Sequence, residues 1–499
     1  MSDMPNLLYI HSDQHSPFVL GCYGDKLGVT PNLDKLATQG VVFENAYCSS
    51  PICGPSRMST LTGRYPFENR CWTNRDVLDS GIPTIAHAMG AAGYWPVLSG
   101  RMHSIGPDQL RGYAYRLVGD HSPNFPGGGP VCDREALNGT AGPGITSLKA
   151  SGAGLSGYEV HDEDVTDATV NYLNKIGMKR RINTEKGISS EPFSITVGLM
   201  LPHPPYVARK SDYEQFQGKI TKPNMPKFYE HENPKYLQWW YEYCCLSEAN
   251  NGDVLRARTA YWALVYSMDR MIGKIFKALK TNGLDKNTLI VYTSDHGDML
   301  GEQGLFWKHT FYESSVRVPL IISWPDVISG GKRKAEVVSS IDVTASILDA
   351  MGAPSLPGSS GKSFIPLLIN KNKNHKISWD NVAYSEYCSD EQWAPDGGCY
   401  QRMIRINEWK LVYYHEDSLQ LFNLIKDPEE RENLAFSKDY SSVKRELLSS
   451  LLREWKPEQI ILDMCKRKEE NILLEKWAQQ VNPESKYLWE AKSSMFYLD

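Results

Sequence analysis

Cys53-Gly54-Pro55-Ser56-Arg57-Met58-Ser59-Thr60-Leu61-Thr62-Gly63-Arg64 is the stretch around which the rest of this chain arranges itself. Pro55 suits the first position of a helix, where its missing N–H costs nothing, and Gly63 suits the far end. That reading puts Cys53 just outside a helix N-terminus, facing unpaired N–H groups and the positive end of the helix dipole. Arg57 lies one turn in and points back toward the same end. A cysteine so surrounded is expected to have an acidic, reactive thiol. The plainer reading is a small buried cysteine at a helix start.

Working outward, the 499 residues can bury a large core and build more than one domain. Hydrophobic residues at 41% and charged residues at 23% belong to an ordinary globular protein. A net charge of −5 gives no reason to expect nucleic acid or a membrane surface as a partner. The ten cysteines show neither CxxC pairs nor a zinc pattern. Strand-like residues follow Met1-Ser2-Asp3-Met4-Pro5 at once, without a basic and apolar leader, and no run reaches the roughly 18 apolar residues of a membrane span. A cytoplasmic location with reduced thiols is the expectation.

Short apolar runs alternate with helical patterns from Asn6 to about residue 376, for example Asn6–His11, Phe193–Met200 and Thr288–Thr293 as strands and Thr259–Lys280 as a helix. This alternation predicts an α/β fold: a large mixed, mainly parallel sheet sandwiched by helices. Residues 119–159 are rich in Gly, Pro and Ser and read as a long loop, with Pro126–Pro130 its clearest part. From 377 to 460 short strands follow one another and end in a helix near Val443–Trp455, which predicts a smaller antiparallel subdomain. The tail, 461–499, carries Trp477, Tyr487, Trp489, Phe496 and Tyr497, aromatics that should dock on this chain or build an oligomer.

Four expected strands end in polar residues able to do chemistry: Asp13 with Gln14, His103, His203, and Asp295 with His296. Ligands of open α/β sheets bind beyond the carboxyl ends of the strands. Two carboxylates, an amide oxygen and an imidazole suit a hard or borderline divalent ion. Taken singly, Asp13-Gln14 reads as a turn after a strand, Ser294-Asp295 as a helix cap, His103 as a core histidine and Lys308 as a solvated lysine.

The Cys53-x-Pro55-Ser56-Arg57 run with Leu61-Thr62-Gly63 resembles the signature of type I sulfatases, members of the alkaline phosphatase superfamily, and Asp427–Leu434 resembles their late C-terminal signature. Asp13-Gln14 and His296 resemble the choline sulfatase and phosphonate monoester hydrolase branch. The resemblance implies an alkaline phosphatase-like fold and oxidation of Cys53 to formylglycine by a maturation enzyme. It implies one divalent ion, Ca²⁺ with Mn²⁺ as the alternative, on Asp13, Gln14, Asp295, His296 and the modified Cys53. Arg101, Lys308 and Asn74 would bind the sulfate group. Arg57, with Arg101 and Lys308, would spread its charge; His203 would protonate the leaving alcohol, and His103 would take the proton that lets the aldehyde reform. The reaction implied is hydrolysis of a sulfate monoester, the substrate being a small organosulfate or a short sulfated sugar. A phosphonate monoester or phosphodiester hydrolase with the same nucleophile, a metal-dependent phosphatase or transferase with an intact Cys53, and a non-catalytic binding or scaffold protein are the competing readings.

Overall fold

The computed structural model describes residues 4–121, 125–126, 135–223, 233–369, 377–391 and 393–499. Its strands are, in chain order, β1 (Asn6–Asp13), β2 (Val41–Tyr47), β3 (Pro96–Gly100), β4 (Tyr115–Arg116), β5 (Gly152–Leu155), β6 (Ser194–Pro202), β7 (Val207–Ala208), β8 (Thr288–Ser294), β9 (Arg317–Val318), β10 (Leu320–Ser323), β11 (Lys332–Ser339), β12 (Val382–Ser389), β13 (Cys399–Ile406), β14 (Trp409–Tyr414), β15 (Gln420–Asn423) and β16 (Tyr497–Leu498).

Nine strands form one sheet in the order β11-β2-β10-β8-β1-β6-β3-β4, with β9 paired to β2. Its centre, β8-β1-β6-β3, is parallel throughout. Only β9 and β10 run antiparallel to their neighbours. Every residue of β1, β6 and β8 is buried, which is why these strands read as unbroken apolar runs: both faces are covered. One helical layer contains Pro31–Gln39, Gly157–Glu185 and Asn251–Thr281; the other contains Cys53–Thr62, Ile85–Ala91 and Ser340–Ala350. A second sheet, β12-β13-β14-β15, is an antiparallel meander. It builds its own core from Trp72, Ile404, Leu411, Leu421, Leu451 and Trp455, together with the helix Ser441–Leu451. The expected α/β class with a smaller C-terminal antiparallel sheet is the fold observed.

Several elements depart from expectation. The Gly-rich stretch is not one loop: it holds a short helix, Ile145–Lys149, and β5. Within it, 127–130 lie outside the described residues, as does the boundary expected at 376. The tail starts as a helix, Pro457–Val481, and ends as β16, which pairs with β5 in a third sheet, β16-β5-β7. Trp489 and Phe496 are buried on this same chain, whereas Trp477 and Tyr497 stay substantially exposed.

Candidate active site

Because β8, β1, β6 and β3 are adjacent and parallel, their carboxyl ends open on one side of the sheet. Asp13 closes β1, Asp295 and His296 follow β8, His203 follows β6, and His103 follows β3. The four polar strand ends anticipated from the sequence are therefore neighbours. The helix Cys53–Thr62 brings its first turn to the same place.

Cys53 is the first residue of that helix, with Ile52 as the capping residue, so Pro55 sits deeper than its chemistry suggested. The N–H of Gly54 is taken by Asn74 Oδ1 at 2.7 Å. Asn74 thus closes the helix start with its carbonyl, where it was expected to bind sulfate. Gly54 allows the approach: a Cβ there would lie 2.9 Å from the same oxygen.

Asp13, Cys53, Asp295 and His296 each offer a ligand atom, all within 4.8 Å of one another and all buried. Cys53 Sγ lies 3.3 Å from His296 Nε2 and 3.5 Å from Asp13 Oδ1. His296 Nδ1 donates to the carbonyl of Gly297 at 3.0 Å, so the Nε2 lone pair faces the cluster. Two carboxylate oxygens, an imidazole and the atom borne by residue 53 fit a divalent cation. The side chain of Gln14, also expected as a ligand, is turned elsewhere: its amide donates to Asp298 at 2.6 Å and its oxygen accepts from Lys308 at 2.8 Å. Gln14 holds a left-handed backbone, φ 68°, and its N–H donates to Asp295 Oδ1.

Arg57, fully buried, donates through Nε to Asp295 at 2.9 Å and through Nη2 to Asp13 at 3.2 Å. It donates further to the carbonyls of Ser12 and Arg101. The guanidinium is thereby held on the two metal-type carboxylates, where it was expected to spread charge on a sulfonyl group. Arg101 donates through Nε to Asp13 at 2.5 Å, through Nη1 toward Asp120 at 3.3 Å, and through Nη2 to His103 Nδ1 at 2.8 Å. Burial by itself would raise the Asp13 pKa, but Arg101, His203, Arg57 and Lys308 outweigh it and hold the carboxyl well below the usual range.

Lys308 is the cation nearest the sulfur. Its Nζ lies 3.0 Å from Cys53 Sγ and 3.0 Å from His203 Nε2. His203 Nδ1 donates to the Pro204 carbonyl at 2.6 Å, so in the neutral ring Nε2 carries the lone pair. Burial, then the Lys308 charge, lowers the His203 pKa well below its ordinary value. His103 has the opposite tautomer. Its Nδ1 accepts from Arg101, so the neutral ring carries its proton on Nε2 and presents a donor. Burial and Arg101 keep it neutral. This overturns the expectation that His103 takes up a proton: the nitrogen not facing Arg101 is already protonated.

The thiol expectation also fails. Burial, then Asp13, pushes Cys53 up to about 11, Lys308 only partly compensating. The helix terminus and nearby cations cannot offset loss of water and an adjacent carboxylate. Sequence reasoning missed Asp298, although it closes the same Asp295-His296-Gly297-Asp298 run. Its carboxylate takes Gln14, the Tyr206 hydroxyl and the N–H groups of Leu300 and Trp307. Asp120 was missed too, and no spacing signals it.

The sulfatase family model matches residues 5–353, and a model described as N-sulphoglucosamine sulphohydrolase, C-terminal, matches 301–456. The chain is 33% identical over 450 residues to a choline-sulfatase of Rhizobium meliloti, covering 86% of this chain and 82% of that one. It is 26% identical to an N-acetylglucosamine-6-O-sulfatase of Bacteroides thetaiotaomicron, covering 90% and 85%. Among solved structures, the phosphonate monoester hydrolase of Agrobacterium radiobacter shares the fold, with a TM-score of 0.69 at 21% identity over 93% of this chain and 96% of that one.

Proposed function

This chain belongs to the sulfatase family and hydrolyses sulfate esters, and from that premise we propose a monoester hydrolase working through formylglycine at position 53 and one divalent cation. The observation that carries the reading is the buried gathering of Asp13, Cys53, Asp295 and His296 around one point, with Lys308 on the sulfur. Asp13, Asp295, His296 and the modified Cys53 would hold the ion, Ca²⁺ or alternatively Mn²⁺. When bound, it supplies Lewis-acid polarisation at the nucleophile and the sulfonyl group. Converted to formylglycine by a maturation enzyme, residue 53 supplies a hydrated aldehyde as nucleophile.

The chain's own residues do the rest. Arg57 holds Asp13 and Asp295 at a fixed spacing in a buried site. Lys308 places an ammonium where negative charge grows on the sulfonyl oxygens. His103 offers its Nε2–H as a further donor to that group. His203 Nε2, protonated from solvent as the anionic substrate binds, gives that proton to the leaving alcohol oxygen, while Lys308 keeps its own. The anionic substrate offsets the Lys308 charge, so His203 accepts a proton more readily once the site is filled.

For substrate we propose a small organosulfate or a short sulfated sugar, in keeping with the relatives named for choline sulfate and N-acetylglucosamine-6-O-sulfate chemistry. Nine described cysteines are free and no described helix is long and apolar enough to cross a membrane, which fits the cytoplasmic location we propose. The test combines a panel of choline sulfate, glucosamine 6-sulfate, a nitrophenyl sulfate and a phenylphosphonate ester with mass analysis of the Cys53 peptide and metal content. Faster turnover of the phosphonate would favour the phosphonate hydrolase reading. Active enzyme with an intact cysteine mass would refute the formylglycine.

A further inference from the structure

Asp120 lies behind the sulfate-facing side of the site and holds it together. Its Oδ2 accepts the N–H of Met102 at 3.0 Å and of His103 at 2.7 Å, and its Oδ1 lies 3.3 Å from Arg101 Nη1 and 2.9 Å from His121 Nδ1. Arg116 approaches the same carboxylate at 3.4 Å. His103 needs this support because its backbone is left-handed, φ 56°, a strained conformation for a non-glycine residue. One carboxylate thus sets both the main chain of His103 and the guanidinium that fixes its tautomer.

What holds Asp120 comes from the far end of the chain. The Asp120 N–H donates to the Tyr487 carbonyl at 2.9 Å, and the Trp489 N–H donates to the Asp120 carbonyl at 2.8 Å, an isolated parallel bridge around Leu488. Gly119 makes the approach possible: a Cβ there would lie 2.0 Å from the Tyr487 carbonyl oxygen. The Trp489 indole packs edge-on against His161 at 5.3 Å and donates to Asp164 at 2.8 Å. His161 in turn donates from Nε2 to the Gly119 carbonyl at 3.0 Å. Beyond it the chain is anchored again where β16 pairs with β5.

We propose that the C-terminal segment Tyr487–Trp489 is a working part of the active site, clamping Asp120, and that Asp120 is the positioning residue for Arg101 and His103. This rests on the sulfate ester reading above. It gives the aromatic tail a task within its own chain: two backbone bonds fix the main chain of the residue whose carboxylate holds Arg101 and His103.

Gly119→Ala in the full chain tests it, because the new methyl group collides with the tail's backbone while the tail's sequence is intact. Turnover of nitrophenyl sulfate should fall roughly 10- to 100-fold in kcat, the scale expected when reacting groups are displaced by about 1 Å. A chain ending at Ser485 should lose a similar factor, and a synthetic peptide of residues 482–499 added in trans should restore rate in proportion to its occupancy. A merely structural role would lower the thermal midpoint without peptide-dependent recovery of kcat. Either variant, folded and with kcat within about twofold of the full chain, overturns the proposal. Should neither fold, Asp120→Asn decides: it keeps an oxygen for the Met102 and His103 N–H groups and loses the charge facing Arg101, so kcat should fall at least roughly 10-fold with KM little changed, and a folded variant within about twofold of the parent overturns the proposal. A full chain inactive on every sulfate ester overturns the functional reading instead, so the two failures are distinct.

Discussion

Arg57→Ala separates two roles for a fully buried guanidinium. Arg57 bridges Asp295 at 2.9 Å and Asp13 at 3.2 Å, and all three side chains are shielded from water. Removing it leaves buried Asp295 without its guanidinium, Asp13 keeping Arg101, and deleting one partner of a buried pair costs about 3–5 kcal/mol. At about 2.1 cal/mol/K per residue, the unfolding entropy of a 499-residue chain is about 1 kcal/mol/K. The midpoint of the metal-free protein should therefore fall by about 3–5 °C. A divalent cation replaces part of the lost charge, so Ca²⁺ should raise the midpoint of Arg57→Ala by more than it raises that of the parent. Arg57→Lys should fall between, because a single ammonium cannot reproduce the fork that reaches both carboxylates. Calorimetry with chelator and with added Ca²⁺ measures all three. An unchanged metal-free midpoint together with a raised KM would refute the reasoning and return Arg57 to the substrate.

Lys308→Ala should lower kcat by roughly 10²–10³, the usual cost of losing a donor aimed at developing charge, while leaving bound metal unchanged; a loss of only a few fold would exclude that role. His203→Ala should reduce turnover of an alkyl sulfate more than that of a nitrophenyl sulfate, since a good leaving group needs less protonation; equal losses would remove His203 as the acid. Glu386, buried 3.9 Å from Arg402, is pushed up to about 8 by burial, so the folded chain keeps a proton that the unfolded chain releases above its ordinary pKa. Stability from this group is present at low pH and is lost as pH rises toward 8, at up to about 1.4 kcal/mol per pH unit. The stability difference between Glu386→Gln and the parent, followed by denaturant titration, should therefore grow in favour of the variant from pH 5 to pH 8; a flat difference would contradict it.

Much of the site was legible because chemistry and periodicity coincide. Asp13, His103, His203 and Asp295 each follow an apolar run, and runs buried on both faces of a parallel sheet must end at its carboxyl edge. Residue type alone marked Asp13, Asp295 and His296 as candidates for one ion, and the fold brings their ligand atoms together. Electrostatic detail was not legible. A helix start and the nearby Arg57 predict an acidic Cys53, but that prediction omits desolvation, which wins once the whole site is buried. Nor does the sequence say which nitrogen of a histidine is protonated. Arg101 decides this for His103 and the Pro204 carbonyl for His203, giving the two rings opposite faces.

The sequence by itself determined the α/β class, the strand-end residues and the family signature around Cys53, because these depend on spacing within one segment. Only the tertiary structure decided that Arg57 serves the carboxylates and that Asn74 closes a helix. It alone shows that the last residues of the chain reach back to Asp120. Those facts depend on contacts between segments tens to hundreds of residues apart, and such contacts leave no periodic trace in either segment.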